Sequence, residues 1–523
     1  MRNLRAMIAA SLLGLTALSG GAAAETVLNY AWNKNVGPLN PHMYSPSELI
    51  GQAMVYEPLV KYQDGGTVIP WLAESWTVSD DGKVYEFTLR PGVTFSDGTP
   101  FDAAAVMANV DALLANRERH EWLEMFKQFD TIEATGPMSV RFTLKSAYYP
   151  FLQDLALVRP FRFISPKGMQ DGHQTKDGIT APIGTGPWVL DEIRLGEYDI
   201  FRANTTYWGD KPGYDTIRFK VLPDANTRAL ALESGEIDLI AGTGGQLTPD
   251  AFARLREGER FATAVSQPYS TRMITMHSGH GPTADLAVRR AINTAIDRDL
   301  IVEQVLYGNE PRADTLFSPN LPYTDIGVSP WAYDPKAAAA MLDEAGWVLE
   351  GNQRVKDGAP LAIDLYFTAD DPDEKAISEV IQAELADIGI RLNIIGEEKS
   401  AIYARQKDGT FGMIYADTYG PPYDPHSFSS SMRRPSHADY AAQSGLSMKP
   451  EIDARIEAAL TSTDEAQRTG DWKYVLTTLH EQAVYLPISY KTAIMAHASS
   501  VGGAAFGATI HEFPFEKLHP EGK

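Results

Sequence analysis

The stretch from Leu361 to Ile394 restricts this chain to one architectural class. Leu361, Ile363, Leu365 and Phe367 alternate along one face of a strand. Asp373 to Ile388 then reads as a helix stopped at Gly389, and Ile390, Leu392 and Ile394 start another strand. Parallel strands need a crossover of this kind, whereas antiparallel strands can be joined by a tight turn. The later half of the chain is therefore α/β. Just upstream, Asp334 is an N-cap, Pro335 occupies the first helical position and Gly346 ends the helix. In the earlier half, Asn226 to Ser234 is a helix ended by Gly235 and followed by the strand Ile237 to Ile240.

The N-terminal part has its own signals. Glu25 to Trp32 reads as a strand. Asp81-Gly82 marks a hairpin turn, after which Val84, Glu86 and Thr88 alternate with Tyr85, Phe87 and Leu89. Asp97-Gly98 is a second turn, and Asp102 caps a helix carrying Val106, Val110, Leu113 and Leu114. The 523 residues suffice for more than one domain. Residues 1–24 differ from the rest. Arg2 and Arg5 precede an apolar run from Ala6 to Leu18 and the small residues Ala22-Ala23-Ala24, a secretory signal cut before Glu25. The run is too short to span a bilayer. Without cysteine there is no lipid anchor at the cleavage site, no disulfide and no thiolate metal site. Export to the periplasm of a double-membrane bacterium, without a membrane anchor, is expected. The net charge of −22 becomes −24 once Arg2 and Arg5 are removed. Such a surface repels phosphate backbones, which argues against nucleic acid as a partner. A local basic pocket in a cleft is still compatible with it.

Asp417 to Tyr440 is rich in Pro, Gly and Ser and reads as a long loop. It carries Tyr419, Tyr423, Phe428 and two of the eleven histidines, His426 and His437. Two readings follow: one wall of a binding site with a single imidazole and several rings, or an ordered surface loop whose histidines are satisfied polar groups. Enzymatic motifs are missing. His120-Glu121, His480-Glu481 and His511-Glu512 lack the second histidine of a metallopeptidase helix. Gly184-x-Gly186 and Gly242-x-Gly244 lack the third glycine of a dinucleotide loop. A non-enzymatic role is expected.

Several segments carry a family resemblance. LAESWTVSDDGKVYEFTLRPGVTFSDGTPFDA, IGTGPWVL, AVRRAINTAIDRD, YDPKAAAAMLDEAGW and AVYLPISY resemble the extracellular solute-binding proteins of peptide, opine and nickel ABC importers. The resemblance covers essentially the whole mature chain. It implies a two-lobed α/β periplasmic binding protein with an extra subdomain in lobe I and two hinge crossings. The lobes would be residues 25–266 with a subdomain at about 66–182, residues 267–489, and a return to lobe I at 490–523. The crossings fall near Gln267 to Ile274 and Leu486 to Ile494.

NVGPLNPH, ANRERHEWLE, RPFRFISP, PYDPHSF and SSMRRPSHADY further resemble the nickel-binding branch of that family. That resemblance implies nickel(II) arriving with small organic chelators, histidine among them. It implies His437 of SHAD as the metal-reaching imidazole, and Arg119 and Arg159 as partners of chelator carboxylates. Tyr44, Trp122, Tyr419 and Tyr423 match an aromatic wall. Leu49 stands where the branch has a pocket Met, and Tyr419 where it has Trp. His511 stands where it has a Thr. A second imidazole there would add a metal ligand and change which chelator fits; the alternative is a hydrogen-bonded or solvated ring. The implied partners are an inner-membrane permease with its ATPase subunits and a chemoreceptor, with the protein a monomer. An oligopeptide or haem carrier of the same family is the alternative function.

Overall fold

The structure is a computed structural model that describes residues 25–43, 48–243 and 246–522. The expected secretory segment 1–24 and Tyr44 lie outside the described residues. Two large sheets dominate. The first, of seven strands, runs Phe261–Val265, Ile494–Ala498, Leu239–Gly242, Val27–Trp32, Thr216–Val221, Tyr198–Ala203 and Trp188–Arg194 in spatial order. The second, of five strands, runs Arg391–Glu397, Ala362–Thr368, Met413–Asp417, Ser270–Met276 and Tyr485–Lys491. Its first two strands are parallel and joined by the helix Pro372–Asp387, as the alternation of Leu361 to Ile394 requires. Gly389, at φ 82°, ends that connection in a conformation costly for any residue with a Cβ.

The chain leaves the first sheet after Val265 and enters the second at Ser270; it leaves the second after Lys491 and returns at Ile494. The two crossings are bonded to each other. Ser266 N donates to Ala493 O at 2.9 Å, and Ala493 N donates to Ser266 Oγ at 2.8 Å. Paired short segments of this kind bend together, which suits rotation of one sheet unit against the other.

A third unit of four strands, Ala73–Val78, Val84–Leu89, Ser139–Leu144 and Phe129–Gly136, packs its apolar face on the helix Ala103–Ala115. Asp102 caps that helix by accepting from Ala105 N at 2.9 Å. One buried cluster continues from Phe87 and Phe161 through Tyr423 to Trp472, so this unit packs against the helix Glu465–Glu481, which lies between the Met413–Asp417 and Tyr485–Lys491 strands of the second sheet.

Much of what is recognisable in the sequence is scaffold. Arg298 donates to Pro487 O at 2.7 Å and Asn293 donates to Tyr485 O at 3.1 Å, tying AVRRAINTAIDRD to AVYLPISY. Gly184 and Gly186 pack against the Met54–Val55 backbone; a Cβ on Gly184 would lie 1.9 Å from Val55 O. Trp71, Thr185, Tyr207 and Trp208 meet at Glu57, a buried carboxylate accepting four neutral hydrogen bonds. Trp71 Nε1 and Tyr207 OH reach Oε1 at 2.7 and 3.0 Å, and Trp208 Nε1 and Thr185 Oγ1 reach Oε2 at 2.8 Å each. Burial raises its pKa, opposed by those four donors. Glu57→Gln turns one accepting oxygen into a donor facing two donors. It is expected to cost about 1–3 kcal/mol in a denaturant titration, with Glu57→Ala costing at least as much.

Candidate functional site

A cavity of about 760 Å³ lies against the paired crossings, lined by residues of the first sheet, by the loop residues Asn320, Leu321 and Pro421, and by the C-terminal segment 506–513. Trp32, Leu49, Tyr62, Tyr269, Phe506 and His511 are among its walls. This volume is within the range of small-molecule sites. Leu49 is there because the helix Leu49–Val55 turns its first residue inward, where it is fully buried.

His511 is held by its neighbours. Thr509 Oγ1 donates to Glu512 Oε2 at 2.9 Å, closing a turn around it. Glu512 also pairs with Arg162 at 2.6 Å, and Arg162 is 2 % exposed. Burial would raise the Glu512 carboxyl, but Arg162 and Lys61 hold it below the usual range. Arg162 further donates to Tyr56 O at 3.0 Å and Leu157 O at 3.1 Å. Burial, then the nearby Arg159 guanidinium, push the His511 imidazole down to about 4. It is therefore neutral, with a free lone pair, at periplasmic pH.

Arg159, half-buried, is hydrogen-bonded to the Tyr423 phenol. From Tyr423 a wall of rings extends: Trp122 at 6.0 Å and Tyr419 at 6.4 Å between centroids, with Phe428 5.0 Å from Tyr419. The structure thus brings Arg159, Trp122, Tyr419, Tyr423 and His511 into one connected neighbourhood.

The 417–440 stretch is not wholly irregular, as its composition predicts. It contains the helices Ser429–Arg433 and Ala438–Gln443. Composition misleads because buried contacts, not propensity, stabilise these short turns. Asp424 staples the preceding bend by accepting from Tyr419 N at 3.1 Å and Gly420 N at 2.7 Å. His426 is spent: its Nε2 lies 3.0 Å from Asp154 Oδ1, both residues being buried. His437 sits at the N-cap of Ala438–Gln443 without a side-chain capping bond. Burial and then Arg434 lower its pKa. Arg434 donates to Glu121 O at 2.7 Å, which sets this corner beside the segment bearing Arg119 and Trp122. Arg119 itself is exposed; of the expected site residues that are described, Leu49 and His511 are on the wall of the 760 Å³ cavity, and Arg119, Arg159, Trp122, Tyr419, Tyr423 and His437 are not. Among the described residues, no three His, Asp or Glu side chains converge to hold an ion. Sequence reading missed Trp32, Tyr62, Tyr269 and Phe506, which lie far apart in the chain and share no local motif.

Residues 67–440 match the profile of the bacterial extracellular solute-binding proteins, family 5 Middle. The nickel-binding periplasmic protein of Escherichia coli K12 is 49% identical over 512 residues, 98% of each chain. The chain belongs to this solute-binding family. NikA from Brucella suis, solved in complex with Fe(III)-EDTA, is 54% identical with a TM-score of 0.93, covering 95% of this chain and all of that one. The dipeptide-binding protein of Escherichia coli K12 is 26% identical across 94% of each chain. The fold is therefore the two-lobed α/β binding-protein fold, and these relatives are binding proteins by name. No helix among the described residues is long and apolar enough to cross a membrane.

Beside the site, the family 5 chain buries two further neutral histidines. His42 shares a hydrogen bond of 3.0 Å with Thr175 Oγ1, and burial, then His120, push it down to about 3. The folded state thus binds fewer protons than the unfolded state below pH 6.5. Stability is present above that pH and is lost as pH falls towards the folded value. His42 alone is expected to remove about 1.5 kcal/mol between pH 6.5 and 5. His42→Gln should flatten that slope in chemical denaturation followed at several pH values.

Proposed function

We propose that this protein captures nickel(II) as a complex with small carboxylate-bearing organic chelators, histidine among them. It then delivers the complex to the permease and ATPase subunits of an ABC importer in the inner membrane. The observation that carries this reading is the cavity at the paired crossings with the His511 imidazole on its wall and the Arg159 guanidinium near enough to lower that imidazole's pKa. A fixed guanidinium repels a bare dication and pairs bidentately with a carboxylate. A nickel-binding relative at 49% identity and a relative holding a metal chelate support the cargo.

In this reading Arg119 and Arg159 grip carboxylates and His437 reaches the metal. Tyr44, Leu49, Trp122, Tyr419, Tyr423 and His511 wall the ligand. Residues 25–266, with a subdomain at about 66–182, and 490–523 form one lobe and 267–489 the other. They close by rotation at the paired crossings. Residues 1–24 direct export to the periplasm, where the protein works as a monomer and also meets a chemoreceptor.

Calorimetry with nickel(II) alone, nickel(II) premixed with L-histidine, and a dipeptide tests the proposal. Binding is expected for the histidine complex and not for the dipeptide. Tight binding of free nickel(II) in chelator-free buffer, or of the dipeptide in place of the nickel complex, would overturn it.

A further inference from the structure

Two distant stretches of chain meet at a buried carboxylate. Arg119, Trp122 and Arg159 precede the first crossing, and Tyr419, Tyr423 and His437 follow it. Asp154, on the helix Phe151–Leu155, is 0 % exposed, and His426 is 5 % exposed. His426 Nε2 lies 3.0 Å from Asp154 Oδ1. Tyr148 OH donates to Asp154 Oδ2 at 2.8 Å, and Ser427 Oγ donates to Oδ1 at 3.5 Å. Among the described residues no Lys or Arg pairs with Asp154, so His426 is its one partner able to carry positive charge.

Neighbouring contacts join the same two stretches. Tyr149 N donates to Leu460 O at 3.1 Å. The Tyr149 ring lies 5.7 Å from that of Tyr323 and 6.2 Å from that of His426, with the Arg468 guanidinium 5.1 Å from its centre. Neither Asp154 nor His426 is on the wall of the 760 Å³ cavity; His426 and Tyr149 line a separate one of about 570 Å³. Ser427 N donates to Tyr423 O at 2.7 Å, so the turn that holds His426 also holds the Tyr423 ring, which stands beside Trp122 and Arg159.

Resting on the chelate reading and the lobe division above, we propose that Asp154 and His426 form a clasp that holds the lobes shut around the bound chelate. Closing the lobes buries the Asp154 carboxylate, and burial of a carboxylate without a compensating partner is strongly unfavourable. His426 supplies that partner from the opposite lobe. The pair touches no ligand; it keeps Tyr423 against Trp122 and Arg159, so Asp154 and His426 are positioning residues. Its loss is felt in the rate at which cargo leaves more than in the rate at which it arrives.

The test uses nickel(II)–L-histidine with wild type, His426→Ala, His426→Gln and the neutral pair Asp154→Asn/His426→Gln. Stopped-flow mixing reads association and dissociation, small-angle scattering reads compaction on binding, and urea unfolding reads the stability of the unliganded proteins. His426→Ala is expected to release the complex roughly 30-fold faster or more, with association little changed and compaction lost. His426→Gln, which keeps the volume should Ala disturb the fold, should shift release in the same direction by less. The neutral pair should recover most of the affinity, because closure then buries no lone carboxylate. A His426→Ala protein that unfolds more easily yet releases cargo and compacts like wild type would make the pair purely structural and overturn the inference. So would a neutral pair as impaired as His426→Ala. Wild type taking up no nickel complex would instead bring down the chelate reading. The clasp would still be upheld by a larger radius of gyration for unliganded His426→Ala than for unliganded wild type, and overturned by equal radii.

Discussion

Arg162→Ala is expected to lower the unfolding free energy by about 3–5 kcal/mol, the usual cost of removing one partner of a buried pair. Arg162 is 2 % exposed and its guanidinium ends on Glu512, Tyr56 O and Leu157 O. Without it, the Glu512 carboxylate keeps only the Thr509 hydroxyl among its close partners, and three backbone carbonyls, those of Tyr56, Leu157 and Ala156, lose a charged donor. Linkage sharpens the test. The folded Glu512 carboxyl lies below its ordinary value, so the pair contributes stability above the unfolded pKa and loses it as pH falls through the folded one. The deficit of Arg162→Ala should therefore be largest near neutrality and shrink in acid. Urea unfolding of both proteins at neutral and acidic pH measures it. A deficit below about 1 kcal/mol, the worth of a surface pair, would mean that the C-terminal segment is not held as described.

Arg159→Ala is expected to weaken binding of a carboxylated nickel chelate by roughly 10- to 100-fold, the worth of a hydrogen bond to a charged group. Stability should change less than for Arg162→Ala, because Arg159 is half-buried whereas Arg162 is 2 % exposed and paired with Glu512. Arg159→Lys should recover part of the affinity, since an ammonium keeps the charge and loses the planar fork. Adding salt should weaken wild type more than Arg159→Ala, because the charge being screened is present only in the former. Calorimetry at two ionic strengths reads both effects. Equal affinities for wild type and Arg159→Ala would remove the guanidinium from the site.

Much of the scaffold is legible in the chain because the forces that write it are local. The alternation of Leu361 to Phe367, the caps Asp102 and Asp334 and the stop at Gly389 each depend on residues within a few positions. The 417–440 stretch shows where this fails. Its Pro and Gly content predicts irregular chain, yet Ser429–Arg433 and Ala438–Gln443 are helical once buried. The family resemblance names Tyr419 and Tyr423 as rings of a binding wall; in the structure Tyr423 lies near Trp122, Tyr419 and Arg159, and none of the four lines the 760 Å³ cavity.

The histidines divide the two kinds of information most sharply. By itself the sequence established the alternation of strand and helix, the turns, and a set of scattered imidazoles without metal-binding spacing. It left open which imidazole lines the cavity, where His511 stands. Tertiary structure decided that, placing His426 on Asp154 across 272 positions of chain and fixing the His511 turn through Arg162, 350 positions from Glu512. The reason is physical. Backbone periodicity and capping act over a few residues, whereas desolvation and ion pairing depend on whichever distant segments folding brings alongside.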